Sequence, residues 1–336
     1  LKFRLGLIGL GPSWATRHKP ALHALSTRFQ VRAVCDPVAH RAEQVANELG
    51  ARPMEGFRAL AACEDVDAVM LLSARWFGAL PILAACDFGK AVYCGASVNL
   101  EAQQAATLRD RVANAGIAFM AEFPKRLAPA TTRLQELMAT RLGRPRLIFC
   151  NQRYASRGDD GDGPANMRRL VEMVDWCCYV AGREVQSVTG AAHETGPHTP
   201  SVSEACGDYS LMTLGFRPGP GEGCGVMAQI ACGSYVSSAW SDAASFRRPA
   251  ELQVVCERGI AFLDLPNRLV WFDDAGQHTE SLDSERPVGE QLLMQFHRAV
   301  SSLVLKSSGL EDAYRAATLV IAGQTSHREG RRIELS

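Results

Sequence analysis

Net charge is the first thing this 336-residue chain lacks: 36 lysines and arginines balance 36 aspartates and glutamates. No block of like charge runs beyond a few residues, so nucleic acid and anionic membrane surfaces find no electrostatic footprint. Long apolar runs are missing too; none reaches the ~20 residues that cross a bilayer. Eleven cysteines are present without one Cys-x-x-Cys pair. Their number is odd, Cys177 and Cys178 are neighbours, and Cys35, Cys86, Cys94, Cys150, Cys232 and Cys256 lie inside apolar runs. That usage suits small buried hydrophobes in a reducing compartment and argues against a zinc or disulfide framework. An apolar strand pattern begins at residue 3, so no signal peptide is expected and the cytoplasm is the expected location. Lysine is scarce: Lys2, Lys19, Lys90, Lys125 and Lys306 are all there are.

What is present is ordinary globular composition, 47% hydrophobic and 21% charged, over a length that suggests two domains. The chain is organised around its first forty residues. Leu5-Gly6-Leu7-Ile8-Gly9-Leu10-Gly11 is a short apolar run that ends on glycines. A helical pattern then puts Trp14, His18, Ala21, Leu22 and Leu25 on one face, and a second apolar run, 30–35, ends in Asp36. Strand, glycine turn, helix, strand and carboxylate is the order of a dinucleotide-binding unit. Gly9 permits the tight turn, and Gly11 lets backbone N–H groups approach a pyrophosphate at the helix start. Asp36 can accept bonds from ribose hydroxyls. Pro12 offers no N–H, and Trp14 stands where a small residue usually packs helix on strand. Losing one charge-assisted donor costs ~1.5–3 kcal/mol, or roughly 10- to 100-fold in affinity. The expected cofactor contacts are Gly9, Gly11, Pro12, Ser13, Trp14, Asp36, Arg41 and Ser73. Asp36 is followed by Pro37 rather than an arginine, which favours NAD over NADP, while Arg41 keeps a 2′-phosphate open.

Strand and helix signals alternate as far as residue 123. Helices are expected over 38–49, 80–88 and 100–115, each followed by glycine, and strands over 66–73, 91–94 and 117–121. Buried parallel strands joined by helices imply a doubly wound sheet. After Pro124 the texture changes. Helices are expected over 131–142, 167–181, 289–305 and 311–328. Strands over 145–154, 185–192, 208–216, 225–232, 251–257, 260–265 and 268–272 follow one another with Gly- and Pro-rich turns between them. The expectation is a Rossmann domain over 1–123 and an α+β domain over 124–336 with a large, mostly antiparallel sheet. The aspartates of 157–164 lack the spacing and closing Glu of a calcium loop and read as solvated. His193 and His198 flank a turn without further ligands nearby, so no metal site is expected.

The Gly9–Gly11 turn, Val34-Cys35-Asp36-Pro37, Asp65-Val66-Asp67-Ala68-Val69, Gly89-Lys90-Ala91-Val92, Arg126 with Pro129-Ala130, and Arg328-Glu329-Gly330-Arg331-Arg332-Ile333 occur in a specific order. In that order the chain resembles the glucose–fructose oxidoreductase/inositol dehydrogenase/MocA family over nearly its whole length. The resemblance implies NAD(H) or NADP(H) and a sugar, polyol or related secondary alcohol as substrate. It also implies self-association through the outer face of the C-terminal sheet.

The chain departs from the family pattern where the chemistry lies. Members usually carry Glu-Lys-Pro where this chain has Gly95, Ala96 and Ser97. They carry Asp, then His four residues later, then Asp where it has Arg168, Glu172 and Asp175; an earlier Pro and His are Ala74 and Gly78. Oxidising a secondary alcohol needs a base for the hydroxyl proton, and a positioned acid–base group contributes ~10²–10⁴-fold. Three groups are candidates. Lys125 falls at the expected domain junction beside Arg126, as a base or as a solvated cation. Glu172 and Asp175 lie at i and i+3 on one helix face, as an acid–base pair or in ion pairs with neighbouring arginines. Tyr93 and Tyr154 are phenolic donors or core aromatics, and Trp76 and Phe77 stack on a nucleotide or pack in the core. Two function classes follow: an NAD(P)-linked oxidoreductase with a rebuilt site, or a catalytically silent scaffold that keeps the fold.

Overall fold

Near-continuous apolar segments make the strands of the first sheet, because parallel strands are covered on both faces. The computed structural model describes residues 1–74, 76–95, 102–155, 163–193, 209–221, 223–236, 242, 246–283, 286–302 and 309–335. Its first sheet contains β1 (Phe3–Ile8), β2 (Phe29–Cys35), β3 (Arg52–Pro53), β4 (Ala68–Leu71), β5 (Ala91–Cys94) and β6 (Phe119–Ala121). All pairings are parallel, in the order β3-β2-β1-β4-β5-β6. The helices between them are α1 (Lys19–Ala24), α2 (Ala39–Leu49), α3 (Phe57–Ala62), α4 (Leu80–Asp87) and α5 (Ala102–Ala115). Ile8, Val69, Leu71 and Val92 form part of one buried cluster with Ile82 and Val112 from the helices. The strand order reverses between β1 and β4, and ligands of open α/β sheets bind beyond the strand ends at that switch.

The second sheet has nine strands: β7 (Pro145–Ala155), β8 (Val185–His193), β9 (Tyr209–Phe216), β10 (Met227–Val236), β11 (Leu252–Cys256), β12 (Gly259–Asp264), β13 (Arg268–Asp273), β14 (Gly276–Ser281) and β15 (Ile333–Glu334). Their order is β14-β13-β12-β11-β7-β10-β9-β8-β15, and every pairing is antiparallel except β10 with β7. The α+β domain with a large antiparallel sheet is thus present as expected. Helices α6 (Pro129–Leu137) and α7 (Gly163–Ala181) belong with this sheet. Alternation sets its faces. Ile148 and Cys150 of β7 and Ala228, Ile230 and Cys232 of β10 are buried with Met173, Val174 and Trp176 of α7. Their neighbours in sequence face the other way, where Leu211, Met227 and Phe272 are exposed.

Two compact units divide the chain, Leu1–Pro124 with Arg286–Arg315 and Lys125–Glu285 with Ala316–Ser336. The first break lies one residue from the boundary read in the sequence. The helix expected over 289–305 is α8 (Val288–Ser301), and it belongs to the first unit rather than the second. Packing explains this: Phe296 stacks on Phe29 and meets Tyr93 edge-on, while His297 packs on Phe3 and Phe29. The last helix is α9 (Leu310–Glu329). The 131–142 helix is divided as well: α6 gives way to a wider π-helical turn, Met138–Leu142, which ends at Gly143.

Candidate functional site: a nucleotide turn and a cationic segment

Beyond β1 the backbone turns through Gly9, whose φ of 67° suits glycine and whose N–H donates to the Cys35 carbonyl at 2.8 Å. A Cβ on Gly9 would sit 2.6 Å from the Ser73 carbonyl oxygen, and one on Gly11 would sit 2.3 Å from that of Leu72. The two glycines therefore do more than admit a ligand: they let the turn lie directly on the chain leaving β4. Ser73, expected among the cofactor contacts, lies against this turn.

Leu10, between the glycines, is held from two sides. Asp36 Oδ2 accepts its N–H at 2.7 Å, while Arg41 Nη2 donates to its carbonyl at 2.8 Å. Asp36 Oδ1 also accepts the Val38 N–H at 3.0 Å, which fixes the start of α2. A carboxylate has about four lone-pair sites, so both oxygens keep acceptor capacity beyond these two bonds. Asp36 is expected from the sequence as a ribose acceptor; its service to the turn is not legible there.

After the turn the backbone takes a π-helical turn, Trp14–His18, before α1. The Arg17 and His18 N–H groups both donate to the Ser13 carbonyl, at 3.0 and 3.2 Å, and the Trp14 N–H donates to Gly11. The indole at the small-residue position is buried at 8% exposure, and Pro12 is exposed. A wider first turn is how this chain carries Trp14 there, and π turns are frequent at functional sites.

Beneath this turn lies a cluster that sequence reasoning missed. Glu122 follows β6, its side chain 1% exposed. Its Oε2 accepts the Tyr93 hydroxyl at 2.9 Å and stands 2.8 Å from His18 Nε2. Arg17 Nη1 is 2.7 Å from Oε1, an ion pair without the alignment of a hydrogen bond. Burial pushes the Glu122 carboxyl up, but His18, Arg17 and Tyr93 together hold it below the ordinary range. Burial, then the Glu122 charge, pushes the Tyr93 phenol well above its ordinary value. Tyr93 is thus a core aromatic with a satisfied hydroxyl. Of the other aromatics, Phe77 packs edge-on against Phe57 at 5.3 Å, while Trp76 is 70% exposed.

In the second unit the segment that starts at Lys125 is fastened to α7. Arg126 Nε donates to Asp175 Oδ2 at 2.7 Å and Nη2 to Oδ1, a fork on a carboxylate whose side chain is 2% exposed. Two parallel bonds of this kind fix geometry as well as charge. The Trp176 indole N–H donates to Thr131 Oγ1 at 3.1 Å. Lys125 Nζ stands 5.1 Å from the Trp176 ring centre and 3.9 Å from Glu251. Glu172 pairs with Arg168 one turn earlier at 3.0 Å, and Arg169 covers the Tyr154 ring. Lys125 and Asp175 therefore share one neighbourhood through Trp176 and Arg126, while Glu172 is held in an ion pair on α7. Gly95 is described; Ala96, Ser97 and His198 lie outside the described residues, as does most of the 157–164 loop. His193 ends β8 and is exposed.

The described cysteines are free thiols, and burial pushes Cys35 up to about 11 and Cys256 up to about 12. No described helix is long and apolar enough to cross a membrane.

With the turn, its carboxylate and the strand order in view, the comparisons agree with the geometry. Residues 3–123 match the model of an oxidoreductase family with an NAD-binding Rossmann fold, GFO_IDH_MocA. Over that stretch the chain is similar to this family. A D-xylose 1-dehydrogenase (NADP(+)) from Haloferax volcanii is 30% identical over 158 residues, 47% of this chain and 46% of that protein. An inositol 2-dehydrogenase from Saccharopolyspora erythraea is 38% identical over 91 residues, 27% of each chain. The chain thus spans less than half the length of the curated relatives it matches. Among solved structures, the aldose-aldose oxidoreductase of Caulobacter crescentus, complexed with glycerol, superposes with a TM-score of 0.81 over 100% of both chains at 15% identity. A likeness at that identity is one of fold.

Proposed function

We propose that this protein is a member of the Gfo/Idh/MocA family and an NAD-linked oxidoreductase acting on a secondary alcohol of a sugar or polyol. The observation that carries the reading is the clasp of Asp36 and Arg41 on Leu10, which preorganises a glycine turn at the switch point of the first sheet. The residues suit a dinucleotide: Gly9 and Gly11, where a Cβ would strike the backbone just after β4, leave the turn without side chains there, and Asp36 retains lone pairs for ribose. NAD is favoured because Asp36 would repel a 2′-phosphate and Arg41 is engaged with Leu10.

When bound there, the nicotinamide would supply the hydride acceptor. The chain's own residues would handle the proton and the orientation. Lys125 Nζ, beside Glu251 and the Trp176 face, is the proposed acid–base group: as the neutral amine it would take the hydroxyl proton and become the ammonium, which then releases that proton to water. Asp175 fixes Arg126 beside it, and the Glu172–Arg168 pair lies one turn earlier on α7. The reading includes self-association through the open apolar face of the second sheet and a reducing compartment in keeping with free thiols.

Calorimetry with NADH and NADPH, followed by turnover across aldoses and polyols, tests this. NADH should bind at least ~10-fold tighter than NADPH, since a repelled phosphate costs more than one factor of ten in ΔG terms of about 1.4 kcal/mol. Lys125→Ala should lower kcat by ~10²–10⁴-fold with the NADH Kd unchanged. Absence of heat with either cofactor at millimolar concentration rejects the reading. Full turnover in Lys125→Ala rejects the lysine's role. A second reading, a cofactor-binding protein without turnover, is favoured by the commitment of Asp175 to Arg126. Cofactor heat with no substrate turning over would select it.

A further inference from the structure

Pro12 deprives the nucleotide turn of a backbone donor, and the structure points to where the turn recovers one. Ser13 Oγ lies 2.6 Å from Arg17 Nη2, which can only donate. The serine oxygen is therefore an acceptor in that bond, and its own hydrogen is directed elsewhere. The polarity of the hydroxyl depends on where the guanidinium stands. That in turn depends on Glu122, because Arg17 Nη1 meets Glu122 Oε1 at 2.7 Å while Nη2 meets Ser13. A planar guanidinium gripped at two nitrogens has little freedom to turn. Glu122 is itself immobilised by His18 and Tyr93 on its second oxygen. It also fills the space beside Gly95, where a Cβ would come within 2.6 Å of Oε2.

We propose that Glu122 is a positioning residue for the pyrophosphate subsite: through Arg17 it orients the Ser13 hydroxyl as a donor to a pyrophosphate oxygen, in place of the N–H that Pro12 lacks. The proposal rests on the nucleotide-binding reading above. Glu122 contacts no ligand in this scheme, and Arg17 is held back from the phosphate.

Titrations of the full chain with NADH, ADP-ribose and adenosine test it, the last by ligand-observed NMR. Ser13→Ala should weaken NADH and ADP-ribose by roughly tenfold, the loss of one bond to a charged acceptor, and leave adenosine unchanged. Glu122→Gln should reproduce that pattern, and the double variant should bind no more weakly than the worse single one. Should Glu122→Gln fail to fold, Gly95→Ala, whose methyl displaces the carboxylate without removing it, takes its place with the same expected pattern. Wild-type affinity for NADH in Ser13→Ala, or in whichever of the other two is folded, overturns the proposal. So does an equal loss for adenosine, which marks a general disturbance of the fold. Tighter NADH binding in Glu122→Gln also overturns it, because Arg17 would then be a restrained phosphate ligand. If the wild-type chain binds NADH and the variants do not differ from it, only this proposal falls. If the wild-type chain binds neither NADH nor ADP-ribose, the nucleotide reading falls first.

Discussion

At the scale of single residues, Glu122 and Tyr93 make stability depend on pH at both ends. The Glu122 carboxyl is held below its ordinary value of 4.5, so its contribution is present above that pH and is lost as pH falls through the depressed folded value. Tyr93 is held above its ordinary value of 10, so the unfolded chain releases that proton first and stability declines as pH rises beyond 10. Urea midpoints measured across pH should show both limbs. Tyr93→Phe should flatten the alkaline limb and cost about 1.5–3 kcal/mol at neutral pH, the worth of a bond to a charged acceptor. Glu122→Gln should flatten part of the acid limb, the rest belonging to Asp67, Asp273 and Glu280, which are also held low by their partners. An alkaline limb unchanged in Tyr93→Phe would show that another group titrates there. None of this was legible in the sequence. His18 and Glu122 are 104 positions apart, and an acid after an apolar strand carries no mark of what it will meet. Asp36 stood out because a carboxylate ending a strand after a glycine turn is a recognisable pattern, whereas its bonds to Leu10 and Val38 are not marked in the sequence.

At the scale of elements, legibility followed amphipathic pattern. The run at 66–73 contains β4 because both faces of that strand are covered, and glycines at 50, 89, 116 and 182 announced the ends of α2, α4, α5 and α7. β14, Gly-Gln-His-Thr-Glu-Ser, was not expected: it is polar throughout and is held by its ladder with β13 rather than by burial. The π turn at Trp14–His18 was read as plain helix, since its side-chain spacing over five residues cannot be told from a first α turn. The open face of the second sheet is another element-level feature. Leu211, Met227 and Phe272 are 40, 45 and 36% exposed there, and Leu147 lies directly across from Met227 in the β10–β7 register. Exposed apolar side chains along a sheet face are a candidate association surface. Light scattering should report an assembly larger than one chain, and Met227→Asp should shift it toward the monomer. Because the side chain is at the surface, the monomer's own stability should change by no more than about 0.5 kcal/mol. A wild-type mass equal to a single chain would rule this association out.

At the scale of the whole molecule, the two sheets were legible and the path of the chain between units was not. Hydrophobic pattern says that 288–301 is a helix with one buried face; it does not say whose core receives Phe296. The consequence is measurable in fragments. Residues 1–124 alone leave Phe29 and Tyr93 without Phe296, and Phe3 without His297. Truncating a buried Phe costs about 3–5 kcal/mol, a large part of a typical domain's 5–15 kcal/mol. The 1–124 fragment should therefore bind hydrophobic dye and melt without cooperativity, and joining 286–315 to it by a flexible linker should restore a cooperative transition. A cooperative melt of 1–124 alone would show that α8 is dispensable to this core. The same nesting bears on how such a protein can be recombined. A single crossover after residue 124 hands a descendant a nucleotide unit whose closing helix still comes from the other parent. An exchange of 125–285 passes the first unit on with its own α8 but leaves the second without its own 316–336, whose β15 pairs with β8. In the grammar of the gene the two units alternate, and libraries that shuffle these proteins will keep both cores whole only when 125–285 and 316–336 travel together.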